Sequence, residues 1–209
     1  MVKRDARATR ARILAAATSE FAAHGIAGAR VDRIAASAEA NKNMIYVYFG
    51  NKEQLFAAVF SDGIQRLLET VPIDADDLPS YAGALFDHIE QHPELSRLAR
   101  WQGLERPAAV ASFDTVAATM TKIQAVAASQ KAGQVNDRLT PDQLLSMLLN
   151  LAATWSDGAP ELDSVEVTDA MRASRRAAVV WAIGRLTAPD RSATGGRLSD
   201  IPVAELRGT

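Results

Sequence analysis

Apolar residues recur at helical spacing along most of this chain and nowhere alternate for long enough to suggest a sheet. Ile13, Leu14, Ala17 and Phe21 form one stripe, ended by Gly25. Val31, Ile34, Ala35 and Ala38 predict a second, short helix. Asn41 is placed to cap a third, running from Lys42 to about Phe49 with Ile45 and Phe49 inward, and Gly50 breaks it. Asn51 then caps a fourth, with Leu55, Phe56, Val59, Phe60 and Ile64 along one side. Two short helices joined by a turn of about four residues make the helix-turn-helix unit, whose second helix enters a major groove.

Further on, the acidic, proline-bounded stretch Pro72 to Pro79 reads as a linker. Helices are expected at about 80–91, 94–105, 109–131, 141–157 and 167–187, separated by Pro93, by Pro107, by Gly133 with Asn136, and by the Gly158–Pro160 turn. Residues 188–209, with Pro189, Gly195, Gly196 and Pro202, are expected to be a frayed tail. The fold class is all-α. An N-terminal helix-turn-helix domain over residues 1–50 is followed by a second helical domain over 51–187.

Composition narrows the classes. The chain has no cysteine, which excludes disulfides and thiolate metal sites and suits a reducing cytoplasm. Its N-terminus lacks the apolar core of a signal peptide, and no apolar run approaches the ~18 residues of a membrane span, so a soluble protein with no membrane partner is expected. The net charge of −2 is unevenly distributed. Residues 1–52 hold nine Lys/Arg against four Asp/Glu, and the remainder fourteen against twenty-one. A basic module on an acidic body suits a polyanion at one end only.

That polarity focuses attention on NKNMIYVYFGNK, residues 41–52, which packs amides, tyrosines and lysines into about three turns. With the preceding TRARIL and FAAHGIAGARVDRIA, and the following EQLF, it closely resembles the N-terminal domain of the TetR family of transcriptional regulators. The resemblance implies a homodimer on a palindromic operator in double-stranded DNA, released by a small-molecule effector, with residues 51–187 as the ligand-binding and dimerisation domain. It gives Lys42 and Lys52 phosphate contacts, and lets Tyr46 and Tyr48 each reach a flanking backbone strand through a hydroxyl. Asn41, Asn43 and Met44 are the candidates for base edges, since an Asn amide matches adenine and a Met side chain packs on a thymine methyl. Arg30 replaces a small hydroxyl residue and adds a phosphate candidate. The chain departs from the family at two positions. Glu39 stands in the turn where Gly is frequent, so either the turn tolerates it or the backbone there is strained. Val47 stands where His or an aromatic is frequent, which removes one possible contact.

Other chemistry is thin. His88 and His92 share a helix face, but with no Cys and no converging acid they are not read as a metal site; helix-end carbonyls are the better partner for His92. No nucleophile elbow, P-loop or dinucleotide fingerprint occurs, so no cofactor and no enzymatic activity are expected. Trp101, Phe113, Phe86, Met120 and Met147 are the candidates for an effector pocket, with Trp101 foremost because Arg100 and Gln102 flank it. The helices at about 141–157 and 167–187 are apolar nearly all round, which places Leu148, Trp155, Val180 and Trp181 at the interface of an intermolecular four-helix bundle. The rival reading is a helical ligand-binding or scaffold dimer that no longer regulates transcription.

Overall fold

In the computed structural model, residues 2–106, 113–156 and 167–189 are described, with side chains from Ala6, Val116 and Val167 onward in the three segments. The expected turn at Gly158–Pro160, the tail from Asp190 and the side chain of Phe113 lie outside the described residues. The described elements are α1 (Val2–Gly28), α2 (Val31–Ser37), α3 (Lys42–Phe49), α4 (Lys52–Thr70), α5 (Leu78–Gln91), α6 (Pro93–Glu105), α7 (Phe113–Lys131), α8 (Pro141–Ala152) and α9 (Asp169–Thr187). No strand occurs among the described residues. Helix α8 stops at Ala152, five residues before its expected end.

The chain forms two compact units, Met1–Thr70 with His92–Ser112, and Val71–Gln91 with Phe113–Thr209. The first unit therefore reaches past the expected boundary at residue 50, taking in α4 and, across a gap in sequence, α6. Its core gathers Ile13, Ala17 and Phe21 of α1, Ile34 of α2, Ile45 and Phe49 of α3, Leu55 and Phe56 of α4, and Leu98 of α6. Phe21 meets Phe56 edge-to-face with ring centroids 5.2 Å apart. Each such fully buried side chain contributes about 1.5–3 kcal/mol, so the helix pair α2–α3 is held by neighbours rather than by its own short length.

In the second unit α5 lies along α9, α8 packs on α5 and α9, and α7 packs on α8. Gly83 lets α5 come close to α9: a Cβ there would stand 3.0 Å from Cγ2 of Val180. Arg176 Nε bonds Asp87 Oδ2 at 2.8 Å and Arg172 Nε bonds Glu90 Oε2 at 3.2 Å across the same pair of helices. Asn136 closes the unit by donating from Nδ2 to the carbonyls of Leu186 (2.6 Å) and Ala188 (3.0 Å) at the end of α9. Lys122 of α7 donates to the Tyr81 hydroxyl of α5 at 2.7 Å. Burial pushes the Lys122 ammonium down and the Tyr81 phenol up to about 12.

Candidate nucleic-acid interface

The turn between α2 and α3 begins as a left-handed helix stop. Ala40 N–H reaches back to Ala35 O (3.0 Å) and Glu39 N–H to Ala36 O (3.2 Å), the paired bonds of a Schellman ending. The donor of the inner bond must adopt a left-handed backbone, and Glu39 does so, with φ 48°. A side chain there costs about 1–2 kcal/mol relative to Gly. Of the two outcomes considered for this position, the backbone is the strained one.

Asn41 then starts α3, its Oδ1 accepting the Asn43 N–H at 2.8 Å. Capping thus takes one of the two acceptor sites on the carbonyl oxygen of Asn41, while its amide nitrogen keeps both hydrogens for a base edge. Ile45 and Phe49 turn into the core, so the opposite side of α3 is the one exposed. Asn43 and Val47, one turn apart, lie along its centre, with Met44 and Tyr46 to either side. Tyr48 is half-buried, its ring 6.3 Å from that of Phe49.

The cations divide into exposed and engaged ones. Lys42 Nζ is 2.8 Å from Asp32 Oδ1 at the first turn of α2. That hydrogen bond, with the charge behind it, raises the Lys42 ammonium above its usual range and holds the Asp32 carboxyl below its own. Both side chains are substantially exposed, so a phosphate can displace the carboxylate at little cost. Arg30 is exposed just before α2, its backbone N–H bound to Glu20 Oε1 at 2.8 Å. The Glu20 carboxylate also takes Arg33 at 2.6 Å, which fixes α2 against α1. Lys52 stands in the first turn of α4, as expected. Its ammonium donates to Ala27 O (3.1 Å) and Ala29 O (3.4 Å), tying α4 to the end of α1. A phosphate would have to compete with two carbonyls for it.

The end of α1 is itself assembled by α6. At Gly25 the backbone leaves helical geometry with φ 70°, which frees the amides of the next turn. Glu105 accepts them, Oε2 from Ala27 N–H at 2.7 Å and Oε1 from Ile26 N–H at 3.2 Å. Trp101 lies against the same glycine: a Cβ at Gly25 would meet its ring at 3.0 Å, and its Nε1 points at Ala22 O at 3.4 Å. Sequence reasoning took Trp101 for a ligand contact and gave Glu105 no role. Both serve the kink in α1.

The remaining effector candidates are divided between the two units. Trp101 belongs to the first unit and Phe86 to the second, where Phe86 is fully buried and meets Trp155 edge-on at 6.2 Å. Met120 and Met147 are exposed. A cleft of about 320 Å³ does open in the second unit, lined by Ala127, Gln130, Lys131, Asp137, Leu139, Thr140 and Pro141, none of which was a candidate. Of the four interface candidates, Leu148 is corrected. Leu148 is fully buried in its own protomer, Val180 is half-buried with a methyl toward Gly83 of α5, and Trp155 is half-buried beneath Arg175, whose guanidinium is 5.9 Å from its ring. Only Trp181 of the four is exposed, at 69%. A helix apolar on every side gives no phase, so the sequence could not say which leucine turned outward.

Among the described residues no cluster of three potential metal ligands occurs, and no helix is long and apolar enough to cross a membrane. His92 caps the start of α6, its Nδ1 3.5 Å from Glu94 Oε1, and His88 is buried in α5.

A left-handed stop, a capped eight-residue helix with an exposed amide-bearing face and flanking cations define a helix-turn-helix regulator. Comparison with known proteins agrees. Residues 13–59 match the model of the bacterial regulatory proteins of the tetR family, and residues 77–185 match the tetracyclin repressor-like C-terminal domain. The chain is 41% identical over 182 residues to the HTH-type transcriptional repressor SCO4008 of Streptomyces coelicolor, covering 83% of this chain and 94% of that protein. It is 30% identical over 105 residues to the HTH-type transcriptional repressor NicS of Pseudomonas putida, across 47% of this chain and 50% of that one. The solved structure of SCO4942 from Streptomyces coelicolor superposes with a TM-score of 0.76 at 37% identity, over 87% of this chain and 99% of that one. The chain belongs to the TetR family of transcriptional regulators.

Proposed function

We propose that the protein is a cytoplasmic, dimeric repressor that binds a palindromic operator and leaves it when a small molecule binds the second unit. The observation that carries the DNA-binding part is the outward face of α3, where Asn43, Met44, Tyr46 and Val47 are exposed while Ile45 and Phe49 anchor the helix from behind. Asn43 and Met44 face base edges, and Tyr46 and Tyr48 direct hydroxyls to the backbone. Lys42 and Arg30 hold phosphates. Lys52 and Asn41 position the helix. The names of the relatives SCO4008 and NicS support repression.

The dimer reading rests on the second unit. Trp181 and Met147 are exposed on α9 and α8, and Ala173, Ala177 and Ala178 on α9 leave room for a second helix to approach closely. A two-fold axis through such a bundle presents two α3 helices, which suits half-sites ~34–36 Å apart. An effector that favours another spacing shifts the population off DNA, and a coupling of about 1–3 kcal/mol changes occupancy 5–150-fold. The cleft beside Gln130 and Thr140 is the place in the second unit to look for it.

Selection from random duplexes tests the reading. The full-length protein should enrich an inverted repeat, and fluorescence anisotropy should show affinity for it falling steeply with salt. Equal affinity for enriched and scrambled duplexes would overturn the regulator reading and favour the ligand-binding or scaffold dimer.

A further inference from the structure

Val47 is the most exposed large hydrophobic residue among the described residues, at 76%. A β-branched residue is also a mediocre helix former, so neither burial nor helix propensity accounts for it in the middle of α3. Its position does suggest a use. Asn43 and Val47 stand at i and i+4 on the side of α3 opposite Ile45 and Phe49, the line that reaches furthest from the core. Met44, three residues before Val47 and 37% exposed, extends the apolar surface along one flank.

We propose that Val47 reads the C5-methyl group of a thymine in each operator half-site. The inference rests on the reading of α3 as the helix that enters the major groove. Val47 has no hydrogen-bonding atom, so it cannot read the donors and acceptors on base edges. The thymine methyl is the one apolar group the major groove offers. Helical χ1 stiffness holds both γ-methyls of Val47 in one orientation, which lets them form a fixed contact rather than a mobile one. Asn43 sits about 6 Å away along the helix axis, a rise of four residues, which is about two base-pair steps. Asn43 on an adenine and Val47 on a thymine within about two base pairs of it then form one recognition element. The departure of Val47 from the frequent His or aromatic is therefore a change of what is read: a hydrogen-bonding or stacking group gives way to a methyl reader.

Deoxyuridine keeps every hydrogen bond of thymidine and lacks the methyl, so it isolates the contact. With the full-length protein and its enriched duplex, each thymine together with its symmetry mate in the other half-site is replaced in turn by deoxyuridine, and affinity is measured by anisotropy. Wild type should lose about tenfold to twentyfold at one such thymine pair, the scale of one buried methyl group in each of the two half-sites. Val47→Ala should bind the thymine and deoxyuridine duplexes equally at that position. Its affinity should match that of wild type on the deoxyuridine duplex. Val47 is outside the core, so this variant keeps the fold. Wild type indifferent to every substitution overturns the proposal, and so does a Val47→Ala protein that keeps the full penalty, with Met44→Ala showing whether Met44 is the reader instead. Failure to enrich any duplex would remove the regulator reading and Val47's role with it; an enriched duplex without methyl dependence removes Val47's role alone.

Discussion

Helices α3 and α9 each hold a large apolar side chain out to solvent, Val47 and Trp181, yet their surroundings differ. Around Val47 stand an amide, a tyrosine hydroxyl and, at the helix start, a lysine whose present partner is an exposed carboxylate. Around Trp181 stand alanines one turn back, with arginine four residues on. Exposure alone says only that something is missing. The neighbours are what support the two partners proposed above: a polyanion with apolar marks on its bases for α3, and the flat, small-residue surface of a second α9 for the other.

The largest effect should come from the α9 side. Trp181→Glu puts an unpaired charge into the proposed bundle, where desolvation costs several kcal/mol. Sedimentation should show monomers, and operator affinity should fall by about two orders of magnitude or more although α3 is untouched. A dimeric Trp181→Glu protein would place the interface elsewhere. On the α3 side, Lys42→Ala should weaken binding to every sequence and reduce the salt slope by ~1. Asp32→Asn should do the opposite, strengthening binding by a few fold, because the carboxylate that holds Lys42 is itself repelled by phosphate. If Asp32→Asn weakens binding, the pair positions α3 rather than competing with DNA.

The α3 side was legible in the sequence because its inner and outer positions alternate cleanly, Ile45 and Phe49 inward and Asn43 and Val47 outward, between an Asn cap and a Gly break. The α9 side was half legible. The need for a partner could be read from apolar residues on every face, but their phase could not, so Leu148 was assigned outward and is buried in its own protomer, while Val180 is half-buried against Gly83. Trp101 and Glu105 were illegible for another reason. Their partners, Ala22, Gly25, Ile26 and Ala27, are more than seventy residues away in sequence, and an aromatic between Arg and Gln looks like a binding residue until its neighbour is known. Lys52 shows the same limit, since a lysine reads alike whether it will meet a phosphate or two carbonyls.

Smaller effects sharpen how the α3 face is supported. Glu105→Gln should leave the kink in α1 weakly capped and lower stability by about 1 kcal/mol, discounted for the exposure of the carboxylate. Thermal unfolding should then shift down by about 2–4 °C, with DNA affinity falling only through the looser end of α1. An unchanged melting temperature would mean that Trp101 alone holds the kink. Glu39→Gly should act in the other direction, relieving the left-handed strain and, after the extra backbone entropy that Gly loses on folding, raising stability by about 0.5–1 kcal/mol. A loss on that substitution would mean that the Glu39 side chain makes a contact worth more than the strain.

The contrast between the two faces is tested most directly by single-hit hydroxyl-radical footprinting of the full-length protein, reading oxidation of Met44 and Trp181 with and without the enriched duplex. Both side chains are open to solvent in a single protomer. The account predicts that Met44 oxidises readily in the free protein and is protected only when DNA is added, whereas Trp181 is protected in both conditions at concentrations where the protein is dimeric. Trp181 oxidising as an exposed indole in the free protein, or Met44 indifferent to DNA, would contradict it.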